Sequence, residues 1–298
     1  MPPNLGAHRS RPLTASPVRG ARVVDRPRAP TPRAPDRRVT AGGLELAAGT
    51  VALLVLAGFL AGWVDAVVGG GGLIQLPALL LVPGMSPVAA LATNKLAGIM
   101  GTSVSAVTYY RRVQPDLRTA GPMALAALAG AAGGAGLASA LPPGVFRPMI
   151  LVALVLVAVY TVAHPSVGRA TDLRWTGRRH RVAALALGAA IGFYDGLLGP
   201  GTGTFLVIAL VAVLGYAFLE ASANAKIVNT ATNLGALIVF SLQGATVWKL
   251  GLVIGVANIA GAYLGARMAV ARGSGFVRVI FMVVVGALIL RLAWSLFA

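Results

Sequence analysis

Apolar stretches of about twenty residues recur along this chain, and each is long enough to cross a hydrocarbon core of roughly 30 Å as a helix. In lipid every backbone polar group must find its partner within the spanning structure, which leaves helices or a closed barrel. The runs are continuous and rich in Ala, Leu, Gly and Val rather than alternating, so they predict helices. Composition agrees, with 57% of the 298 residues hydrophobic, 11% charged and a mean hydropathy of +0.81. The expected fold class is therefore an all-α polytopic membrane protein. Length and polar interruptions place eight spans at about 47–67, 89–110, 119–140, 147–164, 182–198, 219–242, 247–266 and 278–297. Two further apolar pieces, 73–82 and 204–215, are too short to cross. Each follows a glycine-rich break and reads as a half-helix.

The start of the chain is different. Nine Arg, two Asp and eight Pro fall within the first 40 residues, which hold no apolar run, the composition of a disordered segment. No short apolar core follows the basic start, as a cleaved signal requires, so the tail is expected to stay attached and cytoplasmic. A solvated basic tail beside a membrane explains its charge more simply than nucleic-acid binding does, and no nucleic-acid partner is expected. The organisation expected is a tail over 1–42, a first transmembrane repeat over 43–164, a polar linker over 165–181 and a second repeat over 182–298. If the short pieces do not cross, Arg111, Arg112, Arg118, the arginines from Arg169 to Arg181 and Lys249 share one side. Arg147, Arg267, Arg272 and Arg278 share the other. That bias puts both termini in the cytoplasm, although the Arg267–Arg278 cluster opposes it. Cysteine is absent, which excludes disulfides and thiol chemistry, and histidine occurs only as His8, His164 and His180. No cofactor and no metal site is called for, and the oligomeric state is left open.

Two halves of the body repeat each other. Gly62, Asp65, Gly69 and Gly71 in "GWVDAVVGGGG" match Gly192, Asp195, Gly199 and Gly201 in "GFYDGLLGPGTGTF", each pair 130 residues apart. Lys95, Gly98 and Thr102 in "TNKLAGIMGT" match Lys226, Asn229 and Asn233 in "NAKIVNTATN", each pair 131 apart. Two blocks that keep their alignment to within one insertion indicate a duplication. Four crossings per half relate the halves by an axis along the membrane normal, whereas counting each short piece as a crossing gives five and inverts one half. Duplicated halves with the substrate site at their interface are a habit of secondary transporters.

A charge near the bilayer centre costs at least roughly 2.5 kcal/mol on insertion scales, so the four intramembrane charges Asp65, Asp195, Lys95 and Lys226 face the bundle interior. The plain alternative is that the Asp and Lys of one half neutralise each other. Against it, Lys226, Asn229 and Asn233 form a polar stripe at i, i+3 and i+7, and Lys95, Gly98 and Thr102 form its counterpart. Lysine among amide and hydroxyl donors suits an oxyanion, and Thr93, Asn94 and Asn224 lie within about a turn. Each could equally cap a helix. The breaks at Gly69–Gly72, which include Gly70 and Gly71, and at Gly199–Gly203, which include Gly201 and Thr202, expose backbone N–H groups where a half-helix begins. Close helix packing is the competing account of these glycines, and it is the account given to "AGAAGGAGLA" over 129–138. No Gly-Lys-Ser/Thr follows the glycines, so a soluble phosphate loop is excluded.

With "GWVDAVVGGGGLIQLPALL" and "ALATNKLAG" in the first half, and "GFYDGLLGPGTGTF" and "EASANAKIVNTATNLGAL" in the second, the chain resembles the sulfite exporter TauE/SafE family over about residues 47–297. The resemblance implies a multi-pass protein of the bacterial inner membrane that carries small sulfur-containing anions such as sulfite or sulfonates, with export implied by the family's name. It makes Lys95 and Lys226 the candidate anion contacts, with Asn94, Thr102, Asn229 and Asn233 beside them and the glycine breaks framing the site. Asp65 and Asp195 are candidate proton-coupling groups, since a carboxylate in an apolar site can exchange a proton with the help of the membrane potential. The partners expected are the bilayer and the anion, and no enzymatic activity is expected. A passive anion channel shares these features. An intramembrane enzyme or assembly factor would need a nucleophile with a base, and His164 has no evident partner.

Overall fold

The computed structural model describes residues 38–41, 44–142 and 170–297. It opens with an antiparallel pair, β1 (Arg38–Ala41) and β2 (Leu44–Ala47), with Val39 opposite Leu46 and Thr40 opposite Glu45. The end of the Arg/Pro-rich tail, expected to be disordered over 1–42, thus forms a short strand, and beyond this pair the described elements are helical as expected. From Asp36 to Leu76 the sequence holds no proline, and Val39 and Thr40 are β-branched residues that favour an extended backbone.

The helices follow as α1 (Ala48–Val68), α2 (Gly72–Leu80), α3 (Pro87–Val113), α4 (Leu117–Ala138), α5 (Gly177–Leu197) and α6 (Thr202–Ile208), which runs on as a π-helical turn over Ala209–Leu214. They end with α7 (Phe218–Leu242) and α8 (Trp248–Phe297). Among the described residues α1, α4, α7 and the stretch of α8 up to Val284 are long and apolar enough to cross a membrane. Helices α3 and α5 have the length, at 27 and 21 residues, but carry Lys95 and its polar neighbours and the Arg178–Arg181 cluster. The span expected at 147–164 lies outside the described residues. The spans expected at 247–266 and 278–297 are joined in α8, which is interrupted at Gly273 (φ 73°, ψ −171°) rather than by a polar loop. A positive φ there is open to glycine at little cost, so the chain turns without leaving the helix for long.

Two apolar clusters show which way each helix runs. One gathers Leu54 from early α1, Leu76 and Leu79 from α2, Leu91 from early α3, Ala135 from late α4, Leu197 from the end of α5, Phe240 from late α7 and Leu250 from early α8. The other gathers the opposite stretches, among them Val67, Tyr109, Met123, Ala184, Leu210, Val228 and Ala266. Helix α2 thus folds back toward the start of α1, and α6 with its π-turn folds back toward the start of α5. The two hairpins enter from opposite ends. Elements that correspond through the 130-residue offset run in opposite directions, which corrects the parallel relation expected from four crossings per half. The reason is that each glycine break returns the chain to the end it came from.

The hairpins are also exchanged between halves. A Cβ on Gly62 of α1 would lie 2.2 Å from the Asn258 carbonyl oxygen of α8, and one on Gly192 of α5 would lie 2.2 Å from that of Ala127 on α4. Each half's first helix therefore seats on a helix of the other half at glycine-sized spacing. The glycines of "AGAAGGAGLA" serve the same contact, since a Cβ on Gly134 would stand 2.1 Å from the Phe193 carbonyl oxygen.

Candidate functional site

The tips of the two hairpins meet between the apolar clusters. Gly69, at φ 86°, ends α1 and donates its N–H to the Asp65 carbonyl oxygen at 2.8 Å. Its own carbonyl oxygen accepts the Thr204 N–H at 3.0 Å, and the Thr204 hydroxyl donates to the Val68 carbonyl oxygen at 3.2 Å. A Cβ on Gly203 would fall 2.5 Å from the Gly69 Cα, so the crossing admits no side chain. Two glycines give the breaks their close approach here, and the backbone of each satisfies the other at a depth where water cannot.

Behind each tip sits an ion pair, and the partners come from different halves. Lys95 of α3 places Nζ 2.5 Å from Oδ1 of Asp195 on α5, with the two side chains 1% and 2% exposed. Lys226 of α7, fully buried, places Nζ 3.0 Å from Oδ2 of Asp65 on α1 and also donates to the Asp65 carbonyl oxygen. The pairing of Asp and Lys within one half is therefore corrected. Because the hairpins are exchanged, the aspartate on each first helix arrives beside the other half's lysine. The pairs differ in their remaining contacts. Asp65 receives the Gly71 N–H at Oδ1 (3.4 Å), while Asp195 Oδ1 lies 2.5 Å from the Thr202 hydroxyl. Asp195 Oδ2 is buried with no hydrogen-bond donor among the described residues.

A small cavity of about 30 Å³ lies between the pairs, room for one or two water molecules. Of the residues proposed from sequence, Asp65, Gly71, Asn94, Lys95, Thr102, Asp195, Gly201, Thr202, Asn229 and Asn233 line it. Lys226 does not reach the wall and stands behind Asp65. Gly70 faces away, where a Cβ would meet Val64, Leu73 and Val284. Thr93 instead accepts the Val247 N–H at 3.3 Å, and Asn224 is buried off the cavity with both amide atoms unpartnered among the described residues. The expected i, i+3, i+7 stripe lines the cavity on α3, whereas on α7 only Asn229 and Asn233 reach it. Gly98 leaves space for Asn233, whose Oδ1 would stand 3.2 Å from an added Cβ, and Gly101 leaves space for Asn258.

Two lining residues escaped the sequence reading, Gln75 of α2 and Asn258 of α8, whose Nδ2 donates to Gln75 Oε1 at 2.9 Å. Each is an isolated amide in an apolar helix, and that cost in lipid was a usable signal. The wall thus combines amide and hydroxyl donors with Lys95, Asp65 and Asp195, while Lys226 balances Asp65 from behind it.

The family described as Sulfite exporter TauE/SafE matches residues 54–292. A protein of Sinorhizobium sp. named "Probable membrane transporter protein ORF9" is 39% identical over 249 residues, 83% of this chain and 94% of the relative. "Probable membrane transporter protein" of Haemophilus influenzae is 34% identical over 76% of this chain and 88% of its own length. "Probable membrane transporter protein YfcA" of Escherichia coli K12 is 33% identical over 82% and 89%. No solved structure matches the chain. The chain belongs to the sulfite exporter TauE/SafE family and is a membrane transporter.

Proposed function

We propose that this protein is a secondary transporter that carries a small sulfur-containing oxyanion, sulfite or a sulfonate, outward across the bacterial inner membrane by alternating access between two inverted repeats. The repeats occupy 43–164 and 182–298, joined by the linker at 165–181, with both termini in the cytoplasm. One observation carries the reading: two lysine–aspartate pairs, each bridging the halves, flank a cavity lined by amides and hydroxyls. The pairs hold the halves together, and their exchange of partners is what an anion can disturb. At about 30 Å³ the cavity is smaller than an oxyanion needs, so entry requires at least one pair to part. A rearrangement of that kind supports a carrier over an open channel.

Charge balance suggests the coupling. Between two neutral pairs an added anion is an uncompensated buried charge, which costs several kcal/mol. A proton taken up by Asp195 or Asp65 frees the lysine for the anion and restores neutrality. Asp195 Oδ2, buried without a donor among the described residues, supports that reading, since a protonated carboxyl can itself donate a hydrogen bond. A dianion travelling with one proton carries a net charge of −1, which an interior-negative potential drives outward with about 2.3 kcal/mol per 100 mV. The test is flux and thermal stabilisation of the purified protein with sulfite, aliphatic sulfonates, sulfate and chloride. Saturable flux of sulfite or a sulfonate, with stabilisation by the same anion, is expected. Equal, non-saturating conductance for chloride would replace the carrier with a channel.

A further inference from the structure

A second basic site lies where α3 ends and where the first part of α8 approaches Gly273, away from the paired charges. Arg111 and Arg112 occupy the last turn of α3, and Arg267 of α8 joins them around a groove of about 380 Å³. This overturns the expectation that Arg267 lies across the membrane from Arg111 and Arg112, because α3 and the first part of α8 run the same way. Among the described residues no Asp or Glu lines the groove. The Arg267 guanidinium is 5.3 Å from the Tyr263 ring centroid and donates to the Tyr263 hydroxyl at 2.9 Å, which holds it over the opening. One turn further into each helix the groove wall is Val107, 50% exposed, and the ring of Tyr263, 44% exposed. Three guanidiniums at a helix end above outward-facing apolar side chains match one ligand chemistry, a phosphate that carries acyl chains.

We propose that this groove binds an anionic glycerophospholipid, its phosphate held by Arg111, Arg112 and Arg267 and its chains lying along Val107 and the Tyr263 ring. Arginine suits a phosphate because its planar fork can donate two hydrogen bonds to it at once. Basic clefts between membrane helices are a known way of recognising anionic headgroups. The site is independent of the anion cavity, since none of its residues lines that cavity.

The test is native mass spectrometry and thermal stability of the full chain in neutral detergent, titrated with phosphatidylglycerol, phosphatidylcholine, glycerol phosphate or inorganic phosphate. Wild-type protein is expected to retain phosphatidylglycerol over phosphatidylcholine and to be stabilised by it, with no comparable effect of the two soluble phosphates. Each of Arg111→Gln, Arg112→Gln and Arg267→Gln is expected to lower that preference about five-fold. Lys249→Gln, an exposed site at the other end of α8, leaves it unchanged. Equal retention of the two lipids by wild-type protein overturns the proposal without any variant. So does an undiminished preference in the triple arginine variant, or equal stabilisation by glycerol phosphate.

Discussion

Lys226 and Asp65 stand 161 residues apart in the chain, yet Nζ and Oδ2 lie 3.0 Å apart, and the contact joins α7 of one half to α1 of the other. Removing one partner of a buried pair leaves an uncompensated charge and costs about 3–5 kcal/mol, whereas replacing both by apolar residues is often near neutral. Lys226→Ala is therefore expected to lose both transport and thermal stability. The double variant Lys226→Met with Asp65→Leu recovers the stability and not the transport. Recovery of both, by melting temperature and flux, would reduce the pair to a structural strut.

Lys95 borders the cavity and Lys226 does not, so their truncations should differ in kind. A charge-assisted hydrogen bond is worth about 1.5–3 kcal/mol, so losing one from substrate amounts to tenfold or more in binding. Lys95→Gln is expected to raise KM for the anion by at least about tenfold. Concentration-dependent flux into proteoliposomes reads this directly, and an unchanged KM would remove Lys95 from the binding site.

At the hairpin crossing, a Cβ on Gly203 would sit 2.5 Å from Gly69, and one on Gly71 would sit 2.6 Å from the Ala61 carbonyl oxygen. Backbone is the obstacle in both cases. Gly203→Ala and Gly71→Val are expected to lower thermal stability by about 1–3 kcal/mol or more, together with function. A Gly71→Val protein of wild-type stability and no transport would mean that the glycine serves the substrate rather than the packing.

Outside the membrane-spanning part, Asp116 caps α4 by accepting the Arg118 N–H at 3.0 Å, and it also accepts the Thr119 hydroxyl at 2.6 Å and the Tyr216 hydroxyl at 2.7 Å. Burial alone would raise its carboxyl, but the hydrogen bonds from Thr119, Tyr216 and the backbone outweigh it and hold the carboxyl below the ordinary value. A carboxylate held low contributes stability that is complete above its unfolded value, about 3.9, and is lost as pH falls through its folded one. Asp116→Ala is expected to cost about 1 kcal/mol at pH 7 as a lost helix cap. The gap between variant and wild type should close as pH falls through the lowered folded value of Asp116, and a pH-independent gap would argue against the ionised cap.

Much of this site was legible in the chain itself. Apolar length located α1, α4 and α7, and the 130-residue repeat marked Asp65, Asp195, Lys95 and Lys226 before any geometry was known. Who pairs with whom was not legible. Periodicity says which residues share a helix face, but Lys95 meets Asp195 only because the hairpins exchange places, and no local pattern records that. For the same reason Arg267 looked distant from Arg111, since its side of the membrane depends on whether each glycine break returns the chain. Gln75 and Asn258 were visible as lone amides and were passed over because neither has a polar neighbour at i+3 or i+4.

The central claim is that an anion enters between the crossed pairs only together with a proton on Asp65 or Asp195. The most direct measurement records both fluxes in the same proteoliposomes, anion by tracer and proton by an enclosed pH dye, for wild-type protein, Asp65→Asn and Asp195→Asn. Coupled transport predicts a fixed proton-to-anion ratio that the anion gradient alone can drive, and a flattened pH profile in at least one Asn variant. Anion flux with no proton movement, and the same pH profile in all three proteins, would contradict it.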